Sequence, residues 1–301
     1  MEQLNRVAII GLGLIGSSIA RGVREAMPEL ELEGFDASPA VGARAAELGL
    51  ARISDSASEA VADADLIILC VPVGAMAEAA ESIAGGLKAG AIVSDVGSSK
   101  ASVTADLERI LQGTRIVPAH PVAGTENSGP DAGFAALFHG RWCILTPAAG
   151  GDGDAVLVVR RFWEALGAKV EVMDPKHHDM VLAVTSHIPH LIAFTIVGTA
   201  SDLEQVTQSE VIKYSAGGFR DFTRIAASSP VMWRDIFLAN REAVLDTLQR
   251  FSEDLSLLQR AIRLGDEDTL FDLFSRTSAI RRSVVQQGQD TAAPDFGRPT
   301  S

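Results

Sequence analysis

Short apolar runs alternate with segments of helical periodicity through the first half of the chain. The pattern predicts a helix over 14–27 and strands over 7–10, 30–35, 66–71, 91–94, 115–117 and 142–145. Most of these strands are continuous runs of Val, Ile and Leu, which is typical of strands that are buried on both faces. The first half therefore predicts an α/β fold, in which helices cover both faces of a parallel sheet.

The pattern changes after residue 174, where strand signals end and helical periodicity runs over 176–200, 230–264 and 266–285. The second of these helices carries a wide apolar stripe, which indicates packing against helices of a second copy, although packing within one chain is the alternative. We therefore predict a first domain over 1–173, an all-α dimerisation and substrate domain over 174–288, and a flexible tail over 289–301.

The charge and the cysteines exclude several classes of protein. The chain has 301 residues and a net charge of −13, which opposes binding to nucleic acid or to an anionic membrane but allows a small anion in a local pocket. The most membrane-like stretch, 180–200, has two histidines, a serine and a proline near its centre, so we expect a buried core helix. Cys70 and Cys143 lie far apart in apolar segments, which favours a reducing, cytoplasmic setting.

A G-x-G-x-x-G motif directly follows the first predicted strand and opens the first helix. Its residues are Gly11, Leu12, Gly13, Leu14, Ile15 and Gly16. The first glycine permits a tight turn, the second lets a pyrophosphate approach the backbone, and the third lets helix and strand pack closely. This context predicts a Rossmann-type dinucleotide-binding domain, and an incidental glycine turn is the alternative.

The second predicted strand ends at Asp36, 20 residues after the last glycine, where a carboxylate binds the adenosine ribose hydroxyls. Asp36 would repel a 2′-phosphate, so the sequence predicts NAD rather than NADP. Val71 and Pro72 lie at the end of the predicted strand 66–71, at the sheet edge where ligands bind. We expect them to contact the cofactor. Proline as a simple strand terminator is the alternative for Pro72.

Three later segments are rich in chemically useful side chains. They are 95–100 and 120–126, each after a predicted strand, and 185–190 inside the long helix. The first two should face the nicotinamide end of a bound cofactor. Hydride transfer from an alcohol needs a base, and histidine suits that task because its ordinary pKa lies near working pH.

With these segments the sequence closely resembles the prephenate and arogenate dehydrogenases of tyrosine biosynthesis. The resemblance covers residues 5 to about 285. It depends on six motifs, which occur in the order of the family: GLGLIG at 11–16, DVGS at 95–98, HPVAGTE at 120–126, SHIPH at 186–190, GFRDFTR at 218–224 and MWRD at 232–235. Ser99 departs from the valine that relatives often carry before the lysine.

The resemblance implies an NAD-dependent oxidative decarboxylation of a cyclohexadienol. His120 would accept the proton of the ring hydroxyl, and Ser98 would bridge that hydroxyl, His120 and the nicotinamide. Arg224 would bind a substrate carboxylate, and His190, with Ser186 and His187 nearby, would contact the ring or the side-chain end.

Two further roles follow from the resemblance: Glu126 would pair with Arg224 and gate the pocket, and Trp233 would reach the site of the partner subunit.

Several of these side chains have a simpler interpretation. His187 could be a hydrogen-bonded core residue beside a kink at Pro189, and together with His190 it could form half of a metal site. Arg224 could pair with Asp221, and Trp233 could be core or dimer packing. We expect no metal, we expect His177 and His178 to be solvated at a helix start, and we expect Lys100 to help bind anionic ligands.

Two other functions stay open at this point. A β-hydroxyacid or imine reductase has a similar domain order but needs a lysine inside the long helix, whereas here Lys176 lies at its start. A non-catalytic NAD-binding sensor needs the glycines and Asp36 but not Ser98, His120 and Arg224 together.

Overall fold

The computed structural model describes residues 4–125, 127–207 and 217–286. Two compact units are present, Met1–Thr247 and Leu248–Ser301. The first unit holds both β-sheets and all the predicted site residues that are described. Glu126 and the predicted tail 289–301 lie outside the described residues, and the predicted domain boundary after residue 173 stays a prediction.

The main sheet has six parallel strands in the order β3-β2-β1-β4-β5-β6. The strands are β1 (Arg6–Ile10), β2 (Glu31–Phe35), β3 (Arg52–Ile53), β4 (Leu66–Leu69), β5 (Ile92–Asp95) and β6 (Arg115–Ile116). This order reverses direction between β1 and β4, and such a switch point opens a crevice at the carboxyl ends of the strands. The predicted Rossmann-type fold is confirmed.

Helices cover both faces of this sheet because alternate residues of each strand point to opposite sides. Val7 and Ile9 of β1 belong to one apolar cluster, and Ala8 and Ile10 belong to the other. The covering helices are α1 (Leu14–Ala26), α2 (Pro39–Glu47), α3 (Ala57–Val61), α4 (Met76–Ile83) and α5 (Ala101–Ile110).

A second, three-stranded sheet follows, and the expectation that 142–145 extends the main sheet is wrong. Its strands are β7 (Ala119–Pro121), β8 (Trp142–Leu145) and β9 (Lys169–Val172), with α6 (Gly153–Ala165) between the last two. Strand β7 is antiparallel to β8, which is parallel to β9. The chain leaves the main sheet at Pro118, which lacks the N–H needed to continue the ladder, and the carbonyl of Pro118 accepts from Thr146 N at 2.8 Å.

The remaining described elements are helical. They are α7 (Pro175–Leu182), a π-helical turn (Ala183–His187), α8 (Ile188–Thr207), α9 (Gly217–Thr223), α10 (Pro230–Ala239), α11 (Arg241–Leu264) and α12 (Glu267–Gln286). The predicted single helix over 230–264 is wrong, since it breaks at Asn240. The predicted nucleotide-binding domain followed by a helical region is confirmed.

The segment Pro175–Leu203 is, by length and composition alone, apolar enough to cross a membrane. Only 28% of the apolar window of this segment is buried within the chain, so the helix is much less buried than the expected core helix. Met180 and Val184, for example, are more than half exposed at 55% and 56%. The single chain thus presents an apolar helical surface that needs an explanation.

Candidate active site

The glycine turn between β1 and α1 is shaped by its backbone. Gly11 has a φ of +98°, which favours glycine, and its N–H donates to the carbonyl of Phe35 at 2.8 Å. A Cβ added at Gly16 would lie 2.0 Å from the carbonyl oxygen of Gly11, whereas a Cβ at Gly13 would meet nothing within 4 Å. Gly16 is therefore required by packing, and Gly13 faces open space of the kind that a pyrophosphate needs.

The start of α1 can accept an anion. No side chain caps this helix, and its first turn carries no acidic residue, so the free N–H groups and the positive helix end meet no protein anion there. Leu12 is buried in the core, and the side chains of Leu14 and Ile15 pack against the same core. Leu12 therefore faces a ligand only through its backbone, whereas Leu14 and Ile15 also keep partly exposed side chains.

Asp36 lies beside this turn at the end of β2. Its Oδ2 accepts from the N–H of Leu12 at 2.8 Å, and its Oδ1 accepts from the N–H of Ser38 at 2.9 Å. Each carboxylate oxygen keeps a further lone pair for a ribose hydroxyl. Val71, beyond the end of β4, would touch a Cβ at Gly11 at 3.2 Å. Asp36 and Val71 therefore both lie beside the glycine turn. Together with the open space at Gly13, these features fit a dinucleotide with a free 2′-hydroxyl.

His120 lies on β7 with only 8% of its surface exposed. Its Nδ1 is 2.9 Å from Nε2 of His178. Burial lowers the pKa of His120 well below its usual range, and the charges of His178 and Lys100 act in the same direction. His120 is therefore neutral at pH 7, as a general base must be before it accepts a proton.

His178 is the main residue that sequence reasoning missed, since we expected it to be solvated and it is fully buried. The signal was its spacing: His178 and Leu182 lie four positions apart and share the buried face of α7. Its Nδ1 is 2.9 Å from Oδ1 of Asp179, and burial lowers its pKa while that bond opposes the shift. His177, in contrast, is exposed as predicted.

Lys100 is not available to an anionic ligand, which corrects the expectation from sequence. Lys100 and Asp95 are both completely buried and form an ion pair. Lys100 Nζ also donates to the carbonyl of Ala119 at 2.9 Å, and Asp95 accepts from Ala119 N at 3.3 Å. Burial lowers the pKa of Lys100, and the Asp95 carboxylate opposes that shift. The pair ties β7, which carries His120, to the carboxyl end of β5.

Ser98 lies on the short loop between Asp95 and α5, next to this buried ion pair. Gly97 N donates to Asp95 Oδ2 at 2.7 Å, which turns the loop sharply after the strand. Ser98 is partly exposed, while Gly97 and Ser99 on either side of it are buried. The loop therefore presents Ser98 outward at the carboxyl end of β5, to which the strand that carries His120 is tied.

His190 and Trp233 form a stacked pair on the helical side of the first unit. Their rings are 3.7 Å apart at an angle of 25°. Nδ1 of His190 donates to the carbonyl of Ser186 at 2.8 Å, which leaves Nε2 as its acceptor. Trp233 is only 6% exposed within its own chain, which favours the alternative of core packing, and its reach to the site of a partner subunit stays a prediction.

His187 has the environment of a core residue. It is fully buried in the π-helical turn, and its Nδ1 accepts from Asn240 Nδ2 at 3.0 Å. Burial lowers the pKa of His187 to about 4. Among the described residues, no group of three or more His, Cys, Asp or Glu side chains is arranged to hold a metal ion.

Arg224 begins a 3-10 turn after α9 and is exposed. Burial lowers the pKa of His190, and the positive charge of Arg224 contributes to the same shift, so the two side chains are electrostatic neighbours. Arg224 and His190 therefore place a cation and a hydrogen-bonding imidazole near each other among the helices of the first unit.

A Rossmann-type crevice with an open glycine turn, together with a buried neutral histidine on the strand that is tied to the carboxyl end of β5, defines the class of dinucleotide-dependent dehydrogenases. Two family models divide the chain between them. The model described as prephenate dehydrogenase, nucleotide-binding domain, matches residues 19–172, and the model described as prephenate dehydrogenase, dimerization domain, matches residues 174–276. The chain belongs to the prephenate dehydrogenase family.

Individual relatives agree with the family models along nearly the whole length. The chain is 44% identical to the cyclohexadienyl dehydrogenase of Zymomonas mobilis over 94% of this chain and 97% of that protein. It is 33% identical to the prephenate dehydrogenase of Bacillus subtilis over 98% of this chain and 80% of the relative. The crystal structure of prephenate dehydrogenase from A. aeolicus in complex with hydroxyphenyl propionate and NAD+ matches with a TM-score of 0.88 at 36% identity, over 94% of this chain and 99% of that one.

Proposed function

We propose that the protein catalyses the NAD-dependent oxidative decarboxylation of prephenate to 4-hydroxyphenylpyruvate in tyrosine biosynthesis, with arogenate as a second substrate. The observation that carries the proposal is the buried, neutral His120 on β7, a strand that Lys100 and Asp95 tie to the carboxyl end of β5 in the dinucleotide-binding sheet. Membership of the prephenate dehydrogenase family supplies the substrate class.

The reaction needs one base and one hydride acceptor. NAD, held along the glycine turn, would supply the hydride acceptor for C4 of the ring. His120 accepts the proton of the C4 hydroxyl, the ring carboxylate leaves as CO2, and the electron pair of the broken bond makes the ring aromatic. His120 then returns the proton to the phenolate oxygen of the product. Ser98 hydrogen-bonds the same hydroxyl and fixes its orientation. Because aromatisation drives the reaction, the protein mainly orients the reactants and polarises the hydroxyl.

Substrate recognition falls to the helical side of the first unit. Arg224 binds a carboxylate through its guanidinium fork, and His190 offers Nε2 to the ring or side-chain end. Ser186 lies beside His190, and Glu126 would pair with Arg224. The buried environments of His187 and Trp233 support a packing role for them, in which they hold His190 in place.

Asp36 supports NAD over NADP. Its carboxylate is fixed beside the turn by two backbone N–H groups, where it would accept from the ribose hydroxyls and repel a 2′-phosphate. Replacement of Asp36 by Ala should therefore weaken NAD binding and narrow the preference for NAD over NADP.

A homodimer explains the exposed apolar helices. Exposed large apolar residues of the first unit include Met180, Val184, Ile196, Val197 and Leu203, and those of the second include Leu257, Ile262, Phe271, Phe274 and Ile280. Such surfaces are typical of subunit interfaces, and the helical region matches a family model for a dimerization domain. Light scattering on the purified protein should give twice the 31.7 kDa chain mass. The cytoplasmic location stays a prediction.

The direct test gives purified protein prephenate and NAD, and follows NADH absorbance together with 4-hydroxyphenylpyruvate. We expect both products in equal amounts. Parallel assays with arogenate and with NADP measure the two preferences. Absence of turnover in all four combinations would contradict the proposal.

The reductase alternative has little support from the geometry. It needs a lysine inside the long helix, but Lys176 is exposed at the start of α7. The sensor alternative predicts that NAD binds without turnover, so the same assay separates it from the dehydrogenase.

A further inference from the structure

A continuous line of hydrogen bonds runs behind His120. Nδ1 of His120 lies 2.9 Å from Nε2 of His178, and Nδ1 of His178 lies 2.9 Å from Oδ1 of Asp179. The Asp179 carboxylate also accepts from the N–H groups of Lys100 at 2.7 Å and Ala101 at 2.9 Å, at the start of α5. The three side chains of this line are all buried.

The direction of each bond follows from Asp179. An ionised carboxylate only accepts hydrogen bonds, and Asp179 accepts from two backbone N–H groups at a helix N-terminus. His178 therefore donates from Nδ1, and the Nε2 of neutral His178 carries a lone pair. His120 must then donate from Nδ1, which leaves its own Nε2 unprotonated. We assign these proton positions from the hydrogen-bond network.

We propose that His178 and Asp179 are positioning residues of the reaction, which hold His120 in the tautomer whose Nε2 takes the substrate proton and stabilise the charge that His120 then gains. The inference rests on the proposed function of His120 as the base. It assigns a role to His178, a buried histidine that lies outside the six family motifs.

The charges around His120 show why such support is needed. The groups that face His120 are His178, Lys100 and His187, and Asp179 and Asp95 act on His178 behind it. Burial disfavours a proton on His120, a positive charge on any of these three neighbours acts in the same direction, and Asp95 is already paired with Lys100. Among these groups, Asp179 is the carboxylate that balances an imidazolium at His120, through His178.

The supporting residues are fixed by contacts that do not involve His120. The side chain of Asp174 caps α7 by accepting from the N–H groups of Lys176 at 2.9 Å and His177 at 3.1 Å. Asn240 Nδ2 donates to the carbonyl of Asp179 at 2.8 Å. His178 is therefore presented from a rigid helix start, which is what a group that orients a base requires.

Three variants test the role in catalysis. His178→Leu removes the acceptor for Nδ1 of His120, and we expect kcat to fall roughly 10- to 100-fold, the usual cost of losing an orienting partner. NAD affinity should not change. His178→Gln offers an amide oxygen to His120 and an N–H to Asp179, so it should restore most of the lost rate. His177→Leu, at the exposed neighbouring position, is the matched control and should behave as wild type.

Nitrogen-15 NMR on histidine-labelled protein reads the tautomer without any substrate. The chain has six histidines, and the His120→Asn variant identifies the signals of His120. We expect a protonated Nδ1 and a bare Nε2 in the wild type and in His178→Gln, and a mixture of tautomers in His178→Leu.

The outcomes separate this inference from the proposed function. A wild-type His120 with its proton on Nε2 overturns it, and so does a wild-type kcat in folded His178→Leu. If His178→Leu does not fold, the wild-type and His178→Gln spectra decide. An enzyme that is inactive with prephenate but shows the expected tautomer contradicts the proposed function and leaves the positioning role supported.

Discussion

The glycine turn and the buried histidine cluster lie on the same protein unit but are built from different kinds of contact. The turn comes from one contiguous stretch, and the φ of Gly11 and the close approach of Gly16 set its shape. The cluster joins β5, β7 and α7 through hydrogen bonds to buried side chains, such as those from His120 to His178 and from the backbone N–H of Lys100 to the Asp179 carboxylate.

Because the contacts differ, the two regions should tolerate different substitutions. A turn defined by its backbone tolerates substitution except where an added Cβ would meet backbone atoms, as at Gly11 and Gly16. A cluster of buried polar groups is sensitive to the loss of any partner, because the group left behind has neither water nor a hydrogen bond. Changes in the turn should therefore act on cofactor binding, and changes in the cluster should act on chemistry and stability.

The largest effect should come from His120→Asn. Asparagine keeps a polar side chain of similar reach but cannot accept a proton, so kcat should fall by about two to four orders of magnitude, the contribution of a general base. Steady-state assays with prephenate and NAD measure it. Turnover equal to that of the wild type would remove His120 from the mechanism.

The next largest effect should come from Lys100→Met, which leaves Asp95 charged and unpaired in the core. The free energy of unfolding should fall by about 3–5 kcal/mol, the cost of breaking a buried ion pair, as measured by urea denaturation. The double variant Asp95→Asn, Lys100→Met should lose less than the single one.

Arg109→Met, which removes an exposed ion pair with Asp106, is the matched control for Lys100→Met and should change stability little. Equal effects at the two positions would contradict the distinction between buried and exposed pairs.

Acid should destabilise the protein through its buried histidines. Burial lowers the pKa values of His120, His178, His187 and His190, so the unfolded state binds more protons than the folded state. Stability should be complete above the unfolded pKa of about 6.5 and should decline as the pH falls towards the folded values.

The pKa of His187 sets the expected loss of stability in acid. Its folded pKa of about 4 corresponds to roughly 3 kcal/mol lost between pH 6.5 and 4. Urea denaturation at several pH values measures this slope, and His187→Gln should make it shallower while exposed His177→Leu should not. A stability that stays constant from pH 7 to 4 would contradict the burial of these groups.

The smallest effects on stability should come from the glycine turn, where two positions are expected to differ. Gly16→Ala places a Cβ against a backbone carbonyl and should cost about 1–3 kcal/mol of stability, as overpacking does. Gly13→Ala meets no protein atom, so it should fold as well as wild type yet weaken NAD binding about tenfold or more, since the methyl group occupies the space of the pyrophosphate. Equal stability losses at both positions would show that the turn has another shape.

The same contrast explains what the sequence could predict. The strands, the glycine turn and Asp36 were predicted because their signals are local: apolar runs, a spaced motif and a residue at a fixed distance. The roles of His178 and Lys100 were not, because 58 residues separate His178 from His120 and only the fold shows that Lys100 is buried against Asp95. No local pattern distinguishes a buried polar pair from a solvated one.

The sequence predicts the structure of the helical region only in part. Pro189 predicts a disturbance in the long helix, since it has no N–H to donate, and a π-helical turn precedes it. The break at Asn240 was missed because apolar periodicity continues across it. The side-chain amide of Asn240 donates to the carbonyl of Asp179 and to Nδ1 of His187, and these long-range contacts leave no local signal in the sequence.

A double-variant cycle between the glycine turn and the buried histidine cluster is the most direct test that NAD binding and chemistry are separate. NAD affinity and the single-turnover rate at saturating NAD are measured in the wild type, Gly13→Ala, His120→Asn and the double variant. We predict that Gly13→Ala changes only the affinity, that His120→Asn changes only the rate, and that the two effects add in free energy. A His120→Asn protein that binds NAD tenfold more weakly, or that keeps the wild-type rate, would contradict the separation of binding from chemistry.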